Sequence, residues 1–507
     1  MATRIDAPLR RRLTALDSSF LYLETPVNPL HIGSLAFYEG HLSFEKLLDF
    51  VAKRIHLVPR YRQRLAEVPL NLGHPTLEDD PNFRIENHVK RYSLPEGLNK
   101  TEMIGEVLKL YHAQMDRRRP LWDMMHFGEW PGGKTLVVWR VHHALIDGVS
   151  GVELAKILSD FVPDAPDPTP PDKAWNPTPL PGLTERLFAG TRDSITAQVE
   201  SVTQAGLDLV GDPVEVIRRA RKMMEAMVEL ADLTRPMAIT PWTSGPVGND
   251  RSLAWIITPF SEYRAIRNKV GGTVNDIVLT VLSEGAARYL AHHRYPSAGY
   301  FRIGCPVNVR RPEEQTDLGN RVSMMFPMVP AAPTNSIERL KAVRAETEKI
   351  KVAELPQSME RFSSLMELAP AGIMYMMSRA GTSMFDIGAS LVKIAGWKPR
   401  PRGLLMPALG VHFVATNVPG VQVPLYTAGH RCLDSVGLFP LAGSIGYGVA
   451  IGSYDQNMCI AMIADPNLLP DINRMKAFVE EAFDDLRKAA DEADSQKATH
   501  GSGPANA

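Results

Sequence analysis

The order of apolar and polar residues along the chain predicts a mixture of helices and strands. Apolar residues at helical spacing between positions 44 and 55 predict an amphipathic helix. An apolar, β-prone run follows at Thr135 to Val141, and helical spacing returns from Gly148 to Leu158. The residues between these two segments therefore connect the end of a strand to the start of a helix.

The second half of the chain has the same mixed pattern. Thr273 precedes a predicted helix with one apolar side, and a terminal helix is predicted near residues 472–486. Strands are predicted at Tyr300 to Val307, Val322 to Met328, Val411 to Val418, Gly446 to Ser453 and Met458 to Ile463. Helices and strands do not alternate regularly enough for a barrel, so the predicted fold class is mixed α+β, with two α/β sandwich lobes.

Composition shifts divide the chain into four segments. A proline-rich connector at residues 163–171 cannot continue a helix, and it ends the first lobe, which we place at residues 1–182. Residues 183–251 are predicted to form a helical crossing linker, and residues 252–491 form the second lobe. The polar tail at residues 492–507 is predicted to be disordered.

Charge and cysteine content exclude several classes of function. Lys plus Arg total 56 and Asp plus Glu total 57, so no basic field favours nucleic acid. Cys305, Cys432 and Cys459 are too few and too scattered for a disulfide framework or a zinc site, and they suit a reducing cytosol. The uncharged segment from Gly403 to Gly429 is interrupted by prolines and glycines. We therefore expect a cytoplasmic protein with neither signal peptide nor transmembrane segment.

The most informative stretch is His142-His143-Ala144-Leu145-Ile146-Asp147-Gly148. Imidazole titrates near neutral pH, so one histidine on a rigid strand end can remove a proton from an attacking hydroxyl. Two other interpretations remain open at this point: two structural histidines with Asp147 as a helix cap, or a metal site. A metal is disfavoured because neighbouring side chains diverge on a strand and no further ligand is close in sequence. A second pair, His292-His293, is predicted to end a helix near solvent.

Six further segments, in order along the chain, resemble one known family. They are Leu16-Asp17-Ser18-Ser19-Phe20, Leu30-His31-Ile32-Gly33, Pro120-Leu121-Trp122, Val274-Asn275-Asp276-Ile277-Val278-Leu279, Pro306-Val307-Asn308-Val309-Arg310 and Asn417-Val418-Pro419-Gly420. Together with the two histidines they make the chain similar to the bacterial wax ester synthase and acyl-CoA:diacylglycerol acyltransferase family. That family lies within the HHxxxDG acyltransferase superfamily.

The resemblance implies a fold and a reaction. It implies two chloramphenicol-acetyltransferase-like lobes around a central channel, with His143 as the general base near its middle. Acyl-CoA is the implied co-substrate, with no cofactor and no metal. The implied acceptor is diacylglycerol, which gives triacylglycerol, and long-chain alcohols would give wax esters. No covalent acyl-enzyme is required.

Roles for the other motif residues follow from the resemblance and from residue type. His142 helps frame the pocket, and Asp147 is expected to pair with Arg310. The alternative is that Arg310 is a surface arginine, but Arg310 rather than its neighbour Arg311 completes the motif and is the favoured partner. Asn275 is a candidate oxyanion donor or a plain helix-start residue. The predicted substrate-binding residues are Gly148, Asp276, Asn308, Asn417 and Trp122, although tryptophan at position 122 is expected to pack behind the active-site strand.

Insoluble products imply work at a lipid surface, so we expect peripheral attachment to a membrane or lipid droplet. Residues 373–402 combine methionines and aromatics with a basic end, which suits either an anionic surface or the core. The basic run at residues 218–222 is either a solvated helix face or a guide for coenzyme A phosphates. Two alternative functions stay open: an acyltransferase that uses a carrier-protein-bound donor, and a non-catalytic lipid-droplet-binding paralogue.

Overall fold

The computed structural model describes residues 11–188, 237–308, 322–352, 371–372, 374–376, 410–441 and 443–501. Within these residues the chain forms two mixed α+β lobes, each built on one large sheet. The predicted fold class is therefore confirmed. No helix among the described residues is long and apolar enough to span a bilayer.

Several helices begin at side-chain caps that the sequence encodes. Thr14 and Asp17 form a reciprocal capping box at the first helix, and Thr273 and Asp276 form another in the C-terminal lobe. The main α-helices among the described residues are α1 Ala15–Leu23, α2 Phe44–Arg54, α3 Lys100–His112, α4 Gly148–Ile157, α5 Phe260–Val270, α6 Val274–His292, α7 Ser336–Val352 and α8 Ile472–Gly501.

The strands are short and mostly antiparallel. In chain order, the described ones are β1 Arg11–Arg12, β2 His31–Glu39, β3 Gln63–Ala66, β4 Thr76–Asp79, β5 Val89–Arg91, β6 Trp122–Trp130, β7 Lys134–His142, β8 Ser252–Pro259, β9 Tyr300–Asn308, β10 Val322–Met325, β11 Met328–Pro330, β12 Phe413–Val418, β13 Tyr426–Thr427, β14 His430–Leu438, β15 Tyr447–Tyr454 and β16 Asn457–Ala464. The five strands predicted in the second half are all present, although the second of them is divided into β10 and β11.

The two large sheets form the centres of the lobes. Across the described strands, the N-terminal sheet has the order β13-β14-β2-β7-β6-β5, and the C-terminal sheet has the order β10-β9-β12-β15-β16-β8, with β11 also paired to β9. The apolar side of α6 is buried, and α6 packs against α7 and α8. A buried ion pair between Arg339 and Glu284, 2.7 Å apart, joins α7 to α6.

One strand crosses between the lobes. The sequence assigned all of residues 252–491 to the second lobe, but β14 pairs antiparallel with β2 and completes the N-terminal sheet. Backbone hydrogen bonds between Asp160 and Tyr426 add a second tie at 2.8 Å. Because β2 presents an unpaired edge to any strand of suitable pattern, sequence distance does not limit this pairing. The division by residue range is corrected accordingly.

The predicted C-terminal tail and the predicted crossing linker are each described only in part. The tail predicted to be disordered continues α8 as far as Gly501, because residues 488–499 are rich in alanine and charged residues that favour helix. Residues 502–507 lie outside the described residues. The crossing linker is described only at 183–188, which are helical, and at 237–251, so its central part also lies outside them.

The close pairing of β2 with β7 makes a stability prediction. A Cβ atom at Gly33 would lie 2.0 Å from the Trp139 carbonyl oxygen, which is backbone and cannot move aside. Gly33→Ala should force the strands apart and lower the free energy of unfolding by about 3 kcal/mol. Gly105 in α3 has open space at its Cβ position, so Gly105→Ala should be neutral or stabilise by up to about 1 kcal/mol. Urea denaturation of both variants measures the difference, and equal midpoints would contradict this account.

Candidate active site at the lobe junction

The two histidines and Asp147 lie on the predicted strand–turn–helix unit. Strand β7 ends at His142, which pairs with His31 of β2, and α4 begins at Gly148. The Asp147 carboxylate accepts the Ser150 N–H at 2.9 Å and so caps α4. The turn between strand and helix is therefore fixed at both ends.

His142 points into the N-terminal lobe and is almost completely buried. Its Nδ1 accepts the Ala144 N–H at 3.0 Å, so the neutral ring carries its proton on Nε2. That Nε2 lies 3.3 Å from Oε1 of Glu24. His142 thus holds the backbone of the turn on one side and a carboxylate on the other.

His143 is placed differently from its neighbour. Its ring stacks face to face on Phe20, with centroids 4.0 Å apart and planes 5° from parallel. Its backbone N–H donates to the Leu30 carbonyl at 2.9 Å. The side chain is only half buried. Of the two histidines, His143 is therefore the one with access to a ligand, held by α1 and by the residue before β2.

Glu24 is the site residue that sequence reasoning missed. Besides His142, its carboxylate receives Arg117 Nη2 at 2.9 Å and Gln114 Nε2 at 3.1 Å. Burial by itself raises the pKa of Glu24, but hydrogen bonds from His142, Arg117 and Gln114 hold that pKa well below its usual range. An acid directly after the apolar end of α1, Leu21-Tyr22-Leu23, is the signal that could have found it.

Glu24 is also linked to His143 through the backbone of Leu30. The Leu30 N–H points to Glu24 Oε1 at 3.4 Å, and the Leu30 carbonyl holds the His143 N–H. His31 adds a third imidazole to the group, with Nε2 3.7 Å from the same Oε1. Burial, followed by the nearby charge of Arg140, lowers the pKa of His31 well below its usual value.

The turn has a further support from Arg60, whose Nη1 donates to the Leu145 carbonyl at 2.5 Å. The expected partner of Asp147, Arg310, lies outside the described residues, so that ion pair stays a prediction. Asn308 ends β9, and its side chain is also outside the described part. Asp147 itself is buried and caps α4, as its position predicted.

The C-terminal lobe brings two asparagines together. Asn417 Nδ2 donates to Asn275 Oδ1 at 3.3 Å, which joins the end of β12 to the first turn of α6. Asp276 accepts from Thr273 at 2.7 Å (backbone N–H) and 2.8 Å (hydroxyl), and its other oxygen accepts from the Thr347 hydroxyl at 2.8 Å. The prediction that Asp276 binds substrate is therefore corrected: Asp276 caps α6, because both of its carboxylate oxygens are buried and accept hydrogen bonds from Thr273 or Thr347.

The two lobes meet at the motif residues. A Cβ atom at Gly148 would lie 2.8 Å from Cγ2 of Val418, so only glycine lets the turn approach the end of β12 this closely. The His142–Gly148 turn and the Asn417–Gly420 element, about 270 residues apart in sequence, are thus packed together. The candidate active site lies at this junction.

Trp122 supports the site from behind. Its side chain is fully buried and stacked between Tyr61 and His88, at 4.5 Å and 4.7 Å between centroids. Its indole N–H donates to the Tyr61 carbonyl at 2.8 Å. The prediction that Trp122 binds substrate is therefore corrected. Its side chain packs behind the active-site strand, as its residue type led us to expect.

Two other sequence predictions can be placed. The His292-His293 pair ends α6 near solvent, as predicted. Most of residues 373–402 lie outside the described residues, but Met374 is buried in the N-terminal core, which agrees with the core interpretation at that position. The basic run at residues 218–222 also lies outside them. No group of three or more His, Cys, Asp or Glu side chains in the described ranges is placed to hold a metal ion.

Comparison with known proteins identifies the family. Residues 13–278 of this 507-residue chain match the profile described as "Wax ester synthase/diacylglycerol acyltransferase catalytic domain". The chain belongs to this family. Residues 318–487 match the "WS/DGAT C-terminal domain" profile of the same enzymes. A Mycobacterium tuberculosis relative named a probable diacylglycerol O-acyltransferase is 28% identical over 487 residues, covering 93% of this chain and 94% of that protein.

Solved structures agree with this at the level of the fold. The wax ester synthase/diacylglycerol acyltransferase from Marinobacter aquaeolei has a TM-score of 0.60 at 19% identity, covering 95% of this chain and all of that one (100%). The first condensation domain of the calcium-dependent antibiotic synthetase has a TM-score of 0.55 at 13% identity, covering 96% and 97%. The chloramphenicol-acetyltransferase-like two-lobed architecture expected for the family is thereby confirmed.

The buried carboxylate of Glu24 yields one prediction. Glu24→Gln removes the charge that Arg117 and His142 face, and should lower the free energy of unfolding by about 2 to 3 kcal/mol. Glu67 offers a matched control, because it contacts the same Arg117 at 3.5 Å but is largely exposed. Glu67→Gln should cost less than about 1 kcal/mol. Denaturant titration of both variants compares them, and a Glu24 variant no weaker than the Glu67 variant would refute the assignment.

The Gly148–Val418 contact yields a second prediction about stability. Gly148→Ala should push the lobes apart at the junction and cost about 1 to 2 kcal/mol. Val418→Ala removes the methyl groups that the new Cβ meets, so the double variant should recover at least about 1 kcal/mol relative to the sum of the single changes. The measurement is a double-mutant cycle in urea. Simple additivity would mean that the two residues are not in contact.

Proposed function

We propose that the protein transfers an acyl group from acyl-CoA to the hydroxyl of diacylglycerol and so forms triacylglycerol. Long-chain alcohols are proposed as second acceptors, giving wax esters. The observation that carries the proposal is the division of labour between the two histidines: His142 is buried against Glu24, while His143 is half exposed on the Phe20 ring at the lobe junction. The family relatives named as diacylglycerol acyltransferases support the choice of acceptor.

In the proposed reaction, the His143 imidazole takes the proton from the acceptor hydroxyl as its oxygen attacks the thioester carbon. The new carbon–oxygen bond forms, and the carbon–sulfur bond then breaks. The departing coenzyme A thiolate receives the proton back from His143. Proton balance is complete within one cycle, so the proposal needs neither a covalent intermediate, nor a cofactor, nor a metal.

The developing oxyanion needs a donor, and the paired amides of Asn275 and Asn417 are our candidates. Asn275 lies in the first turn of α6, where the helix dipole favours negative charge. The hydrogen bond from Asn417 to its side-chain oxygen orients the Asn275 amide so that its N–H groups face away from Asn417. A preorganised donor of this kind typically contributes about 100-fold or more to the rate.

The remaining expectations about environment belong to the same proposal. We propose that the enzyme works in the cytoplasm at the surface of the inner membrane or of lipid droplets, because both diacylglycerol and its product are insoluble in water. A carrier-protein-bound acyl donor is the rival, and condensation domains share the fold, so the fold does not distinguish the two donors. Direct comparison of palmitoyl-CoA with a palmitoylated carrier protein does.

His143→Ala tests the reaction. With palmitoyl-CoA and either dioleoylglycerol or hexadecanol, wild-type protein should release coenzyme A only when acceptor is present, and the variant should be slower by about 100-fold or more. His292→Ala, at the exposed end of α6, is the matched control and should retain full activity. Release by His143→Ala at the wild-type rate would overturn the assignment of the base. No release by folded wild-type protein with either acceptor would overturn the proposed function.

A further inference from the structure

The N-terminal lobe carries an exposed apolar tip between β3 and β4, made of residues 68–72, Val-Pro-Leu-Asn-Leu. The Leu70 side chain is 84% exposed, the most of any large apolar residue described, and Leu72 is 42% exposed. Exposed single leucines are common on soluble proteins, but two within three residues at the end of a turn are a concentrated apolar feature.

The backbone of this tip is strained. Leu70 has φ +57° and Asn71 has φ +51°, so two consecutive non-glycine residues adopt the left-handed conformation. For leucine this conformation costs roughly 1 to 2 kcal/mol. The strained backbone therefore keeps the apolar Leu70 side chain exposed to water, an arrangement that does not stabilise the folded state. Strain of this kind is characteristic of residues that serve a function.

Two other segments add exposed apolar side chains around the tip. Arg186 of the helical residues 183–188 donates to the Glu67 carbonyl at 2.9 Å, and Phe188 in the same segment is 77% exposed. The Asn71 carbonyl lies within 3.4 Å of the Cβ position of Gly372, in the segment that carries the exposed Met376. Two segments that carry exposed apolar side chains thus lie next to the tip.

Arginines flank this surface. Arg64 of β3 donates to the Arg118 carbonyl at 3.1 Å, which brings the run Arg117-Arg118-Arg119 beside the strand that leads to the tip. The Arg118 and Arg119 side chains are at least half exposed, and the single carboxylate of Asp116 faces both of them, which leaves this group with net positive charge. Glu67 pairs with Arg117, and Arg186 donates to the Glu67 carbonyl. An apolar centre with a cationic rim matches an anionic lipid surface, where side chains enter the acyl-chain boundary and guanidinium groups meet phosphates.

The same surface adjoins the candidate active site. Tyr22 of α1 contacts His74, just beyond the tip, at 3.1 Å, and its ring meets the edge of Tyr375 at 5.6 Å between centroids. Two residues earlier in the same helix, Phe20 stacks on His143. One short helix therefore spans the distance between the tip and the proposed base.

We propose that this tip docks the protein on an anionic phospholipid bilayer, with Leu70 and Leu72 inserted, so that the acceptor leaves the bilayer beside α1. The inference rests on the proposed function for the identity of the acceptor. To the proposed function, this inference adds the kind of lipid surface and the residues that bind that surface.

Leu70→Asn is the sharpest test, because asparagine tolerates the left-handed conformation but has no apolar side chain to insert. With the full chain and vesicles of phosphatidylcholine containing about 30% phosphatidylglycerol, the variant should bind about tenfold more weakly in flotation while unfolding at the same or higher urea concentration. Val352→Asn, at a similarly exposed valine (77%) at the last residue of α7, is the matched control and should float like wild type. Pure phosphatidylcholine vesicles should bind wild type less well.

Activity separates this inference from the proposed function. With diacylglycerol in vesicles, Leu70→Asn should transfer acyl groups about tenfold more slowly, whereas with hexanol and no vesicles it should match wild type. Unchanged flotation of Leu70→Asn would overturn the docking proposal, as would wild-type self-association that Leu70→Asn abolishes. If flotation depends on Leu70 but wild type acylates neither acceptor, docking stands and the proposed function fails.

Discussion

The contact between Glu24 and His142 is the interaction on which the site depends. A carboxylate with almost no exposure, surrounded by Arg117, Gln114 and His142, stays ionised because each of its oxygens has a donor. Through His142 it fixes the Ala144 N–H, and through Leu30 it fixes the backbone of His143. His143 can therefore be partly exposed and still hold one orientation, as the proposed role of general base requires.

The second constraint is the junction of the lobes. Asn417 and Val418, at the end of a C-terminal strand, contact Asn275 in their own lobe and Gly148 in the other. Strand β14 ties the lobes together again by completing the N-terminal sheet. Because β14 crosses into the N-terminal sheet and Val418 packs on Gly148, the proposed base and the proposed oxyanion donors keep fixed relative positions, although they come from opposite halves of the chain.

Helix α1 connects the proposed lipid surface to the candidate active site. Helix α1 carries Phe20 against His143 and Tyr22 against His74, so the residues that orient the base are covalently continuous with those beside the exposed tip. The proposed acceptor is dissolved in a bilayer, so a short path from the proposed lipid surface to the proposed base favours the proposed reaction.

The sequence by itself determined the local units: the strand before His142, the cap at Asp147, the capping box of α6, the mixed fold class and the order of motifs that marks the family. These follow from side-chain periodicity and from hydrogen bonds between residues three or four positions apart, which a single sequence displays. Only the tertiary structure decided that Glu24 supports His142 and that β14 crosses to the other lobe. Such contacts join residues tens or hundreds of positions apart, and their energies depend on burial and distance, which local pattern does not encode.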